Sequence, residues 1–384
     1  MSVVVVGGGI SGLTACYTLC KHKIPTILVE ASSRTGGWIQ THQQNDGVFY
    51  EMGPRTLRTT GKLGKNTLQL IEELGLEDKV KPINKSHPAA LNRLLCVNRQ
   101  LFPLPNSPKS LIKTHPPFKK PLYRSILKDV FTRSINIPDD SMYNFMLRRF
   151  GKEFADYLAD PLCRGIVAGD AKEISVKMVL SPLFEFEQAH GSIMMGGLKF
   201  MKSNFKNKTN PERSQLVKKS VAEKWRLISL EGGLKTLPEK LHEKIDKKCM
   251  VKKNSTLKLI KPRDDGKVDL IFDNDEVLSA DHVISCIPAK QLSPCLPDYP
   301  SLQNLLNSIC FVDVGVVNLE YEGEVLSHQG FGYLTPSSDM SSKVLGVIFD
   351  TCAFPQVNNI EKALYAEKMS DVFSFILMYF LWAF

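Results

Sequence analysis

Four valines in a row, Val3–Val6, predict a short strand buried on both faces, as found inside a parallel sheet. Apolar positions then recur at helical spacing through Leu13, Tyr17 and Cys20, and Thr26–Val29 predicts a second strand. Leu68, Ile71 and Leu74 share one face of a helix predicted over 63–74, with Gly75 at its end. Residues 94–102 predict a hairpin turning at Asn98 and Arg99, stopped by Pro103 and Pro105. In 118–131, Leu122, Ile126, Leu127 and Val130 fall on one helical face among lysines and arginines. Residues 141–164 predict helix, and 202–224 a polar loop running into a helix start. Leu234, Leu237, Leu241 and Ile245 predict a further helix. Strands are predicted over 250–259, 267–272 and 282–287, the last buried and stopped by Pro288. A second sheet is predicted from 311–319, 331–334 and 344–349. The final residues, 372–384, are almost wholly apolar. As a helix they would span about 20 Å, against a hydrocarbon core of about 30 Å.

Between the first strand and helix, Gly7, Gly9 and Gly12 form G-x-G-x-x-G. Gly7 allows the tight turn, Gly9 lets a pyrophosphate approach the backbone, and Gly12 lets helix and sheet pack closely. The helix N-terminus offers free N–H groups and a favourable dipole to phosphates. Glu30, after the second strand, stands where this unit places an acid on a ribose hydroxyl. Strand, glycines, helix, strand and acid in that order predict a dinucleotide-binding α/β domain.

At 384 residues the chain is long enough for two or three domains. Its net charge of +9 suits an anionic surface or ligand, and equally simple solubility. The nine cysteines include no C-x-x-C and are expected to be reduced and mostly buried. The eight histidines show no metal-ligand spacing, so no zinc or iron site is expected. No cleavable presequence is expected before Val3, and no run of about 18 apolar residues predicts a bilayer span. No repeat is visible, and no nucleic-acid partner is expected. Residues 101–150 hold nine Lys/Arg (109, 113, 119, 120, 124, 128, 133, 148 and 149) against three Asp. A basic amphipathic helix within them reads as a membrane-surface element or as a helix packed on its domain with a basic outer face.

Arg34-Thr-Gly-Gly37 and Tyr50-Glu-Met-Gly-Pro-Arg55 resemble consecutive segments of the flavin amine-oxidase superfamily, which binds FAD. His87-Pro-Ala-Ala-Leu-Asn-Arg93, Asp160-Pro-Leu-Cys-Arg-Gly165, Glu231-Gly-Gly233, Ala280-Asp-His-Val-Ile-Ser285 and Gln329-Gly-Phe-Gly332 extend the likeness. Together they resemble the protoporphyrinogen oxidase family in its animal form, from about Val3 to Pro355. The resemblance implies an α/β fold: an FAD-binding Rossmann-like domain, a second mixed-sheet substrate domain and a helical membrane-binding insertion. It divides the chain into an FAD-binding first part (1–84), a helical membrane-binding and substrate-cavity region (85–200), an FAD-binding second part (201–290), an incomplete substrate sheet (291–355) and an atypical tail (356–384).

The implied reaction oxidises protoporphyrinogen IX to protoporphyrin IX with dioxygen, at the mitochondrial inner membrane, peripherally; a homodimer is a candidate assembly. FAD is implied to contact Gly7, Gly8, Gly9, Ile10, Ser11, Gly12, Glu30, Ala31, Arg34, Gly37, Trp38, Gly53, Pro54, Arg55, Thr56 and Leu257. Arg93 is implied to pair a propionate of the substrate, which suits a planar fork of donors, although a surface salt bridge is the commoner fate of an arginine. Gly165 and Ala168 are implied to line the cavity, with a helix end as the alternative. Phe331 is implied to stack near the rings, with a core phenylalanine as the alternative. No general base stands out. Past Pro355 the likeness stops, so the family's C-terminal flavin-contacting strand and helix are expected to be missing and this chain to be inactive or nearly so. The rival readings are a flavin amine oxidase with another substrate and a non-catalytic form that binds membrane or partners.

Overall fold

The computed structural model describes residues 1–44, 47–206, 214–247, 249–322, 326–339, 344–355 and 370–376. Three elements organise it: β1 (Val3–Val6), α1 (Ile10–Lys21) and β2 (Thr26–Val29). Every residue of β1 is buried, as four valines facing both ways require. The sheet is all parallel, in the order Met250–Lys252, β2, β1, His282–Ser285. On one face α1, the Gly61–Glu73 helix and the Thr236–Asp246 helix bury Leu13, Cys16, Leu68, Ile71, Leu241 and Ile245. On the other, Val4, Val6 and Val29 pack on Leu257, Leu270 and Phe272 of an antiparallel three-stranded sheet. His282–Ser285 is an edge of the parallel sheet among the described residues. It is half-open rather than buried as its apolar run predicted, because one flank has no described neighbour.

A second, six-stranded mixed sheet runs Val316–Glu322, Ser370–Ile376, Gly346–Phe349, Gly332–Leu334, Leu94–Val97, Gln100–Pro103. The 94–103 hairpin turns at Asn98 and Arg99, both at positive φ, as its sequence predicted. The tail contributes to this sheet: Ser370–Ile376 pairs antiparallel with Val316–Glu322 on one side and Gly346–Phe349 on the other. A strand, not the helix considered for the 372–384 run, therefore begins the apolar tail; residues 356–369 and 377–384 lie outside the described residues.

The helical region has its own core of Met142, Phe145, Phe150, Cys163, Val176 and Phe184. The helix predicted over 141–164 breaks at Gly151, whose φ is +100°, and resumes as far as Val167. Two cations counted on its basic surface turn inward. Arg149 is fully buried and bonds Asp129 and Glu187, and Arg148 bonds Glu187 and Asp140. No helix among the described residues is long and apolar enough to cross a membrane.

Candidate active site

The glycine loop sits at the carboxyl end of β1, where open α/β sheets bind ligands. Gly7 has φ +105°, and a Cβ there would lie 2.9 Å from the Cys286 carbonyl oxygen. A Cβ on Gly12 would fall 1.8 Å from the Gly7 carbonyl oxygen, so no side chain fits between helix and strand. Gly9 differs: a Cβ there would meet only the Gly37 Cα, at 3.9 Å. The space over Gly9 is open, bounded by Gly36 and Gly37, and the Gly36 N–H donates to the Gly8 carbonyl at 2.8 Å. Gly9 begins α1 without a side-chain cap, and no acid lies in the first turn. The backbone N–H groups of Ile10, Ser11 and Gly12 thus keep their capacity for an anion.

Glu30 closes the loop from β2. One carboxylate oxygen accepts from the Gly8 N–H at 2.6 Å, and the other from the N–H and hydroxyl of Ser32 at 2.8 and 2.7 Å. The oxygen that faces Gly8 retains accepting capacity, so a ribose hydroxyl could add to this arrangement. Ala31 is exposed beside it, and the chain 254–255 bonds back to Ser32 and Glu30, which brings Leu257 to the same end. Leu257 itself is buried on the Leu257–Pro262 strand, and its carbonyl accepts from Cys295 Sγ. Arg34 braces its own loop, donating to the Gly37 carbonyl at 2.7 Å and to Gln40 at 2.9 Å.

Trp38 is exposed, and its carbonyl crowds Gly53: a Cβ there would lie 2.2 Å away. Gly53 and Pro54 lead into Arg55, which is buried rather than on the surface. Its Nη atoms reach Asp350 (2.8 Å), Asn318 (2.9 Å) and the Glu51 carbonyl (3.1 Å), while its Nε has no hydrogen-bond partner. Thr56 follows, half-buried. Glu51, inside the Tyr50–Arg55 motif, is a buried acid that motif reading did not single out. Burial pushes its carboxyl up to about 7, against the Leu234 N–H, the Thr41 hydroxyl and the charge of Arg55. An acid inside an otherwise closed strand was the available signal.

Two residues far apart in sequence meet at the second sheet. The Arg93 guanidinium lies 5.0 Å from the Phe331 ring centroid. Asn92 makes the clasp: its side chain donates to the Gln329 carbonyl at 2.9 Å, and its carbonyl accepts from the Phe331 N–H at 3.3 Å. His87 caps the short Pro88–Leu91 helix through Nδ1. Among the described residues Arg93 bonds only the carbonyls of Ala89 and Asn92, and it has no carboxylate partner. It is exposed, yet enclosure by neighbouring protein, ahead of the positive charge of Arg58, pushes its pKa down. This is a cation still short of an anion. Arg58 was not anticipated; only its sequence proximity to Arg55 pointed to it.

Gly165 departs from expectation. A Cβ there would lie 2.2 Å from Leu334 Cδ2, so its smallness admits a strand of the second sheet and not a ligand. Ala168 takes the left-handed conformation that ends the Asp160–Val167 helix, φ +49°, which is the alternative reading.

The residues fit FAD: an open space over Gly9, uncapped helix N–H groups and an acid on the loop are what a pyrophosphate-bearing cofactor would complete. Such a cradle on a parallel sheet, beside a second, mixed sheet, is the architecture of the dinucleotide-binding α/β class. Residues 10–371 match the family described as flavin containing amine oxidoreductase. The chain is 41% identical over 360 residues to protoporphyrinogen oxidase of Bos taurus, covering 92% of this chain and 74% of that protein. It is 27% identical to mitochondrial protoporphyrinogen oxidase of Nicotiana tabacum, covering 92% and 72%. Its fold is similar to a crystal structure of a putative protoporphyrinogen oxidase from Exiguobacterium sp. 255-15, with a TM-score of 0.68, 22% identity and 97% and 76% of the two chains covered. The chain belongs to the flavin-containing amine oxidoreductases and, within them, to the protoporphyrinogen oxidase family. It is an oxidoreductase, and its cofactor is FAD. The family match runs past Pro355, where the sequence alone had placed its end.

Proposed function

We propose that this protein oxidises protoporphyrinogen IX to protoporphyrin IX, with dioxygen as the final acceptor and hydrogen peroxide released. The observation that carries the reading is Arg93 over Phe331: a fork of donors without a carboxylate, beside an aromatic wall. A propionate would complete Arg93, and a flat apolar macrocycle would lie against Phe331. FAD, when bound, supplies the hydride acceptor. This chain's residues hold and orient: the uncapped end of α1 takes the pyrophosphate, Glu30 the ribose, and Arg93 fixes one edge of the substrate. FAD-loaded protein supplied with the porphyrinogen should develop porphyrin fluorescence. Arg93→Ala should raise KM about tenfold or more, as loss of a charge-assisted bond worth about 1.5–3 kcal/mol implies, without loss of FAD. An unchanged KM would remove Arg93 from the site.

The setting we infer is a mitochondrial membrane surface, in keeping with the name of the tobacco relative. The Leu122–Phe131 helix supports it. Leu122, Ile126 and Asp129 face inward, so Tyr123, Leu127 (50% exposed), Val130 and Phe131 (86% exposed) face out beside Arg124. Apolar and cationic side chains on one outward face suit insertion among anionic headgroups. Sedimentation with anionic vesicles should fall steeply with salt.

A further inference from the structure

Three thiols meet behind the cofactor loop. Cys16 and Cys20 stand one turn apart on α1, fully and almost fully buried. Cys249, between the Thr236–Asp246 helix and the Met250–Lys252 strand, packs against the same core as Cys16. Its side chain is within hydrogen-bonding reach of both. Cys249 alone of the three also lines a surface cleft of about 450 Å³, with Ser2, Pro25, Thr26, Ile27, Asp246, Lys247 and Met250. Cys249, half-buried, thus borders the cleft while the two others are buried behind it.

We propose that Cys16, Cys20 and Cys249 form a thiol oxidation site, in which Cys249 meets a hydroperoxide through the cleft and a cysteine of α1 closes a disulfide onto it. The chemistry balances. The Cys249 thiolate attacks the O–O bond, gives a sulfenic acid and releases hydroxide or alkoxide; the α1 thiol then displaces water from that sulfur. Overall, two thiols and one hydroperoxide give a disulfide, water and an alcohol or second water. The neighbouring thiols lower the Cys249 pKa, against burial and the charge of Asp246, which favours its thiolate. The bridge would tie the helix that carries the phosphate cradle to the returning part of its own domain. The site does not depend on the proposed substrate, although the hydrogen peroxide of that reaction would be one source of oxidant.

The test is to treat the FAD-loaded protein with one equivalent of hydrogen peroxide and map tryptic peptides with and without dithiothreitol. Cys16 and Cys20 lie together in 1–21, and Cys249 in 249–252. A linked 1–21/249–252 pair that dithiothreitol dissolves is expected, and Cys249→Ser should abolish it. Cys16→Ser and Cys20→Ser identify the partner, since only one of them should lose the link. Cys310→Ser, at the exposed cysteine, should leave it intact. If peroxide instead drives Cys249 to sulfinic acid with no linked peptide in the wild type, or oxidises Cys310 and spares Cys249, the proposal fails. Porphyrinogen turnover is not part of this readout, so it stands or falls separately.

Discussion

A methyl group placed on two neighbouring glycines should separate folding from cofactor binding. At Gly12 it would collide with the Gly7 carbonyl at 1.8 Å, so Gly12→Ala should lower Tm and FAD binding together. At Gly9 it would meet only open space, so Gly9→Ala should keep the Tm of the FAD-free protein while weakening FAD, read by titration of flavin fluorescence. Glu51 gives a pH signature. Its folded pKa, about 7, lies above the ordinary carboxylate value. Its contribution to stability is therefore fully present below about pH 4.5 and is lost as pH rises through 7, a change on the order of 3 kcal/mol. Denaturant unfolding of wild type against Glu51→Gln should show the flatter pH dependence in the variant. The glycines were legible in the sequence because backbone geometry admits few substitutes there. Glu51 was not, because its burial depends on Leu234 and Thr41, brought to it by tertiary folding.

Among the elements, the Leu122–Phe131 helix best shows what periodicity can and cannot tell. The apolar positions at 122, 126, 127 and 130 fell on one helical face, open to a membrane surface or to the protein; the helix instead divides them, with Leu122 buried and Leu127 and Val130 looking outward. The cause is Asp129, drawn fully inside by Arg149, Ser192 and the Met194 N–H. A buried ion pair fixes helix rotation here, and its partners lie too far along the chain for a local pattern to include. Replacing Leu127 and Phe131 with serine should cut vesicle sedimentation while leaving the helical core and Tm nearly unchanged. Breaking the pair with Arg149→Ala should unfold this region, at a cost of about 3–5 kcal/mol, because Asp129 would be left buried and charged. The glycine-to-alanine logic also explains Gly165: its partner, Leu334, lies on another element, and a short motif cannot say whether its space belongs to ligand or protein.

At the scale of the molecule, Arg55 joins two parts of the chain, running from the Tyr50–Arg55 segment to Asp350 and Asn318 at the second sheet. Arg55→Ala should lower stability by about 3 kcal/mol and loosen the second sheet first, visible as faster amide exchange over 316–322 and 346–349. The order of strands has a consequence for how the protein is made. Val3–Val6 is synthesised long before its partner, so its pairing with His282–Ser285 must wait until the chain has grown past residue 285. The 94–103 hairpin likewise waits for Gly332–Leu334. At about 5–20 residues per second, this strand of four valines stays without that partner for roughly 15–60 seconds on the ribosome. A nascent chain of this design needs shelter for its beginning until its later half arrives, which makes it a natural client of chaperones that hold open chains.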